Sequence, residues 1–258
     1  MLSLLTFNIH KGFSMLNKRF VLHRLREAIR STSSDIVFLQ EVIGENSKKA
    51  NKHDNWPENS HYEFLADSMW SDYVYGKNVV YPDGHHGNAI LSKYPIIHSK
   101  KIDISTNRFE QRGFLYSVLD IPDYRYQLYC ICVHLGLTAL SRKKQLKILE
   151  TFMNEKIPKE APIVLAGDFN EWRTNNKGKY PILLSLVDAA MTTQGKMART
   201  YPSYLPILPL DRIYLRGMKA VKSKIYNKGI WSKLSDHAAF FTEVKFIPVR
   251  IDMVKNAP

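Results

Sequence analysis

A chain of 258 residues with 45% hydrophobic and 24% charged side chains has enough apolar surface for a large core and the balance of a folded, water-facing domain. Lys and Arg number 37 against 24 Asp and Glu, and the resulting net charge of +13 favours a polyanionic partner, either nucleic acid or an acidic membrane surface. No run is long enough to span a bilayer, and Met1 to Asn8 lacks both a basic leader and a small-residue cleavage site, so the expectation is a cytoplasmic protein without a signal peptide.

In chain order, Leu2 to Ile9 reads as a strand. Arg19 to Ser31 reads as a helix with Leu22, Leu25 and Ile29 on one stripe, and Asp35 to Gln40 as a buried strand delivering Glu41. The polar stretch Ile43 to Ser60, with Lys48, Lys49 and Lys52, reads as an exposed loop. Gly87 to Ser92 and Phe114 to Leu119 read as strands paired with each other. Gln127 to Leu135 is expected as a strand and Ser141 to Lys156 as a helix carrying Leu146, Leu149 and Met153; Ile163 to Ala166 is then a strand delivering Asp168. Asp211 to Leu215 and Ala238 to Val244 complete the strands. Each half thus runs strand, helix, strand, acidic residue, which suggests two similar layers meeting at one site. No linker divides the chain, and residues 1–258 are read as one domain.

Cys130 and Cys132 alternate along one strand face. Their spacing is poor for a mutual disulfide, no second Cys/His pair stands at zinc-site spacing, and they read as core thiols of a reducing compartment.

The segment Ala166-Gly167-Asp168-Phe169-Asn170 is the most informative. An apolar strand stops on Gly and then presents a carboxylate and an amide two positions apart. A carboxylate orients water or takes its proton, and an amide both donates to and accepts from phosphate oxygens. Five further clusters end similar apolar runs: Asn8, Glu41, His134, Asp211, and Asp236 with His237. Each taken alone has an ordinary explanation as a cap, turn or core group. Together they form an inventory of carboxylates, amides and imidazoles, without metal-binding Cys, that suits a hard cation such as Mg²⁺ or Mn²⁺.

The order of these clusters resembles the endonuclease/exonuclease/phosphatase (DNase I-like) superfamily. The matching segments are Thr6-Phe7-Asn8-Ile9, Leu39-Gln40-Glu41-Val42, Gly87 to Ser92, Gln111-Arg112-Gly113, Val133-His134-Leu135, Gly167 to Asn170, Leu210 to Ile213 and Leu234 to His237, with the short loops of a compact bacterial branch. The resemblance implies an α+β fold, a four-layer α/β/β/α sandwich of two mainly antiparallel sheets, and hydrolysis of phosphate esters with a divalent cation. It implies Glu41 as principal metal ligand, with Asn8 and Asp236 nearby. It makes Asp168 the group that orients or deprotonates water and Asn170 the holder of the phosphate. His237 oriented by Asp211 would stabilise the phosphate charge, His134 would act toward the leaving oxygen, and Arg112 would stand one step further out. His134 replaces the Asn-rich segment of abasic-site repair members, which counts against that specialisation.

Nucleic acid, DNA ahead of RNA, is the leading substrate, with Lys48, Lys49 and Lys52 for phosphate and Trp70, Tyr73, Tyr75 and Tyr81 either stacking bases or packing. The alternative is a phospholipid, phosphoinositide or sphingomyelin-type substrate in an anionic membrane, with Tyr204 to Pro209 either inserting into the bilayer or packing beneath Leu210. A third reading is a binding protein that has lost catalysis; the full catalytic set argues against it. No obligate protein partner is inferred.

Overall fold

The computed structural model describes residues 1–122, 127–172 and 185–247. The strands with the most apolar sequences are the central ones. β1 (Leu2–Asn8) lies between β2 (Ile36–Asn46), to which it is parallel, and the antiparallel β12 (Ala239–Phe246). β7 (Leu128–His134) and β8 (Ile163–Asp168) form the corresponding parallel pair of a second sheet. Parallel neighbours need a crossover, and a helix supplies it each time: α1 (Leu22–Ser31) between β1 and β2, and α4 (Ala139–Lys156) between β7 and β8. The two halves inferred from sequence are therefore two strand–helix–strand units.

Around them, β3 (Asp72–Tyr81), β4 (Gly84–Ser92) and β11 (Met218–Tyr226) complete the first sheet in the order β11-β12-β1-β2-β4-β3. In the second sheet β5 (Ile96–Asp103), β6 (Gly113–Leu119), β9 (Val187–Asp188) and β10 (Asp211–Arg216) give the order β5-β6-β7-β8-β10-β9. Of the short helices, α2 (Ser47–Ala50) follows β2, α3 (His61–Ala66) packs beside α1 on the outer face of the first sheet, and α5 (Ala189–Gln194) packs against β10 and β11.

Alternation along the strands sorts side chains into three apolar layers. Leu4, Phe38, Ile90, Cys130, Cys132, Val164 and Ala166 fill the space between the sheets. Leu5, Phe7, Val37 and Leu39 face outward onto Leu22, Leu25 and Ile29 of α1. Ile131, Val133, Ile163 and Leu165 face outward onto Leu146, Leu149 and Met153 of α4. Central strands have no polar face because both faces are covered, which is the four-layer α/β/β/α sandwich, of class α+β. Burying each of these larger side chains contributes roughly 1.5–3 kcal/mol. Cys130 and Cys132 are free and buried, and burial pushes the Cys132 thiol up to about 12. Among the described residues no helix is long and apolar enough to cross a membrane.

Three sequence expectations require correction. The first helix begins at Leu22 rather than Arg19, because Phe20 forms a β-bridge with Phe13 and Val21 has extended φ. Ile43 to Asn46 continue β2 and Ser47–Ala50 form α2, so the exposed loop starts later; Ile43 is buried despite its polar neighbours. The segments 87–92 and 114–119 are strands, but of different sheets: β4 pairs with β2 and β3, and β6 with β5 and β7. Their apolar faces meet through the core instead of sharing a ladder.

Candidate active site

Strand register assembles the site. Asn8 ends β1 beside Gln40, one residue before Glu41. In the second sheet His134 pairs with Asp168 across the parallel ladder, and Asp211 pairs with Asp168 on its other side. Three candidate side chains thus stand at one level on adjacent strands, about 4.8 Å apart by ladder spacing. Gly167 makes the alignment possible: its φ is +141°, and a Cβ there would collide with the Val133 carbonyl oxygen.

Asp168 is at the centre. Its Oδ1 accepts from the Asn170 backbone N–H at 2.9 Å; its Oδ2 accepts from Asn8 Nδ2 at 3.1 Å and lies 3.6 Å from His134 Nε2 and 3.7 Å from His237 Nε2. Burial raises the Asp168 carboxyl above its usual range. His237 Nδ1 is 2.7 Å from Asp211 Oδ2, and that oxygen also accepts from Thr200 Oγ1 at 2.6 Å. Burial alone would lower His237, but Asp211 and then Asp168 outweigh it and hold the imidazole up at about 10, so it is a cation at neutral pH. His134 has the opposite balance: burial and the Arg112 charge push it down to about 4, leaving a neutral imidazole. Two histidines on one carboxylate therefore differ in charge.

Glu41 reaches the same end by a different device. The β2–β4 register slips between Leu39 and Val42, and Glu41 takes φ 55°, a bulge that turns its carboxylate out of the ladder. Lys11 Nζ lies 3.0 Å from Glu41 Oε2. Burial would raise Glu41, but His134, protonated in the acid range where Glu41 titrates, and Lys11 hold it well below the usual carboxylate range. Asp236 Oδ1 is 2.9 Å from His10 Nδ1; its carboxyl, which burial would raise, is held below its usual range by His10 and His237. Asn8 Oδ1 accepts from the His10 N–H at 3.1 Å, and Ser235 Oγ donates to the Asn8 carbonyl at 2.7 Å, tying the two ends of the chain together. Asn170 Nδ2 donates to the Leu135 carbonyl at 2.9 Å. Arg112 stands further out, donating to the Leu135 carbonyl and to Glu110 at 3.2 Å each.

Every site residue inferred from sequence therefore gathers at one end of the two sheets. His10, Lys11 and Thr200 were not among them. The signal for Lys11 lay in Asn8-Ile9-His10-Lys11-Gly12, where His10, Lys11 and Gly12 all adopt positive φ and turn the chain back toward Glu41. Of the aromatic candidates, Trp70 is buried and donates to Ser34, Tyr75 stacks on Tyr62 at 4.6 Å, and Tyr81 accepts from Asn46; Tyr73 alone is exposed. Tyr204, Leu205 and Ile207 are 61%, 61% and 54% exposed, so these three side chains do not pack under Leu210, whereas Pro209 is buried.

Two facing sheets with outer helices, and this set of side chains at their common end, define the DNase I-like class, whose members hydrolyse phosphate esters, generally with a divalent metal. The model of the Endonuclease/Exonuclease/phosphatase family matches residues 5–237, and the chain belongs to that family. The uncharacterized protein YbhP of Escherichia coli K12 is 45% identical over 240 residues, covering 93% of this chain and 94% of its own length. TDP2 of D. rerio complexed with a single-strand DNA product shares the fold with a TM-score of 0.68 and 19% identity, over 95% of this chain and 98% of that one. The mannosyl-6-phosphatase Bt3783 of Bacteroides thetaiotaomicron superposes with a TM-score of 0.71 and 13% identity, over 95% of this chain and all of its own (100%).

Proposed function

We propose that the protein is a divalent-cation-assisted phosphodiesterase acting on nucleic acid, most simply as an endonuclease. The observation that carries this reading is the Asp168 carboxylate held between a neutral His134 and a cationic His237, with the Asn170 amide beside it. Asp168 orients the attacking water and takes its proton; the raised carboxyl makes it a better base than an exposed Asp. His237, fixed by Asp211, donates to the phosphoryl oxygens as charge develops on them. Neutral His134 donates an N–H toward the leaving oxygen, and Asn170 holds the phosphate.

Glu41, Asp236 and the Asn8 amide oxygen are the metal-binding set. They are hard oxygen donors of the kind Mg²⁺ or Mn²⁺ prefers, and each carboxylate is already met by a nitrogen, Lys11 Nζ or His10 Nδ1, in a corner suited to positive charge. One donor atom each from Asp168, Asp211 and His237 also lie within 4.8 Å of one another, but the proton on His237 already supplies the cation there. A bound divalent ion would cancel phosphate charge that repels the nucleophile and lower the pKa of a coordinated water.

The net charge of +13 supports a polyanionic substrate, and a neighbour of the same fold, TDP2, is complexed with a single-strand DNA product. One observation favours a second reading, a phospholipid hydrolase: the exposed Tyr204, Leu205 and Ile207 project near the site, where Tyr201 of the same loop lies 5.0 Å from the His237 ring. A panel of supercoiled plasmid, single-stranded DNA, RNA, sphingomyelin and phosphoinositide vesicles, each with Mg²⁺ and with EDTA, tests both. Plasmid or oligonucleotide cleavage that EDTA abolishes is expected; turnover confined to vesicles would replace the first reading by the second.

A further inference from the structure

Between β5 and β6 the chain makes a turn that its own polar groups pin in place. Asn107 Oδ1 accepts from the Phe109 and Glu110 N–H groups at 2.9 Å each, Ile104 N donates to the Arg112 carbonyl at 3.0 Å, and Glu110 Oε1 accepts from the Leu137 N–H at 2.9 Å. On this fixed turn Phe109 is 85% exposed, with the Arg108 guanidinium 4.9 Å from its ring centre. A lone exposed apolar residue needs no explanation, but Phe109 is not placed alone. It lines a groove of about 640 Å³ that also takes in Val80, Leu137, Arg112, Lys11 and Glu41. The groove runs from the proposed metal corner to the open aromatic ring.

Its charge is equally uneven. Lys11 is committed to Glu41 and Arg112 to Glu110, whereas Arg108 has no ion-paired carboxylate among the described residues. A concave, cationic channel with a bare aromatic face suits a ligand having an anion and a planar ring at adjacent positions. A nucleotide has both. A base inside a duplex has its two faces covered by its neighbours and offers none to Phe109, so the fitting ligand is unpaired. Phe109 shares its groove with Arg112, Lys11 and Glu41, a charged lining that suits a polar ligand better than acyl chains.

We infer that this groove is a subsite for an unpaired nucleotide flanking the scissile phosphate, with Phe109 stacking on its base and Arg108 holding its phosphate. The assignment rests on the nucleic-acid reading of the site and narrows it to substrate that is unpaired at the nucleotide beside the scissile phosphate, as in a single strand or a locally opened stretch of supercoiled plasmid.

The test is equilibrium binding in EDTA of a short fluorescein-labelled single strand, its duplex, and the same strand carrying abasic positions, to wild type, Phe109→Ala and Arg108→Ala. Phe109→Ala is expected to weaken single-strand binding roughly five- to hundred-fold and to leave the abasic strand nearly unchanged. Arg108→Ala is expected to lower the log–log salt slope by about 0.7, the value for one phosphate of a single strand. Neither change should alter kcat on a small dialkyl phosphodiester such as glycerophosphoethanolamine, which carries the anion but no planar ring. Wild-type binding of single strand by Phe109→Ala, an equal loss on the abasic strand, or a wild-type preference for duplex each overturns the subsite. If the wild type cleaves single strands and both variants behave like it, the subsite alone falls. If the wild type hydrolyses the small diester yet neither binds nor cleaves any oligonucleotide, the nuclease reading falls with it.

Discussion

His237 and Asp211 are joined across 2.7 Å in a buried setting, and Thr200 Oγ1 donates to the same Asp211 oxygen at 2.6 Å. The hydroxyl fixes the carboxylate, the carboxylate fixes the imidazole, and the imidazole's remaining nitrogen faces Asp168. This relay ties the position of Thr200 to the charge state of His237, the group proposed to face the phosphate.

A pH profile follows from the sign of that shift. His237 is raised from an ordinary value near 6.5 to about 10. A raised imidazole stabilises the fold fully below its unfolded value, and the stabilisation is lost as pH rises through the folded one. Turnover should therefore persist through neutral pH and fall on an alkaline limb approaching about 10. Asp211→Asn removes the largest charge that raises His237 and leaves the lowering effect of burial, so the limb moves toward lower pH. The profile of kcat/KM for the two proteins measures it; an unmoved limb would show that another group sets it.

Asp168→Asn should cut turnover by roughly 10²–10³ or more while the fold persists. The exchange keeps volume, and it removes a carboxylate whose charge burial already disfavours. The amide still accepts from the Asn170 N–H. Single-turnover rates and thermal melts of the pair separate the two effects. Retention of more than about a tenth of the wild-type rate would remove Asp168 from its assigned role.

Glu41→Ala should raise the divalent-cation concentration needed for half-maximal activity. Glu41 is the carboxylate that the β2 bulge aims into the proposed site, and it is held well below its usual range, so it is charged at neutral pH. The same change frees Lys11. Titration of Mg²⁺ against activity reads the effect, and full turnover in EDTA would sink the assignment of a metal altogether.

How far the sequence was legible depended on whether a residue's role was local. Asp168 and Asn170 stood out because a Gly-ended apolar strand displays them, and α1 and α4 were found because Leu22, Leu25 and Ile29, and Leu146, Leu149 and Met153, keep helical spacing that their burial bears out. Lys11 was missed because its meeting with Glu41 depends on three successive positive-φ residues and on a bulge in another strand. The partnership of β4 and β6 was misjudged for a related reason. Two apolar strands close in sequence satisfy the same pattern whether they share a ladder or face each other across a core, and only the positions of β2 and β7 decide it.

Salt dependence is the sharpest probe of the substrate. With a net charge of +13, the protein should bind duplex DNA with an affinity that falls log-linearly with salt, at a slope near −0.9 for each phosphate neutralised. Lys48 and Lys52 are exposed on the segment that follows β2, and replacing both by Ala should make the slope shallower while leaving kcat on a small diester unchanged. Slope alone does not separate nucleic acid from membrane, because an anionic bilayer also attracts Lys and Arg through a field that salt screens. The separation comes from turnover on plasmid and on lipid vesicles in one buffer with one Mg²⁺ concentration. Plasmid nicking at the higher rate, with Leu205→Ser and Ile207→Ser without effect, is the expected result. Vesicle hydrolysis far above nicking, lost when those two exposed apolar side chains are made polar, would move the substrate from the nucleic acid to the membrane while leaving Asp168, His237 and Glu41 in the same roles.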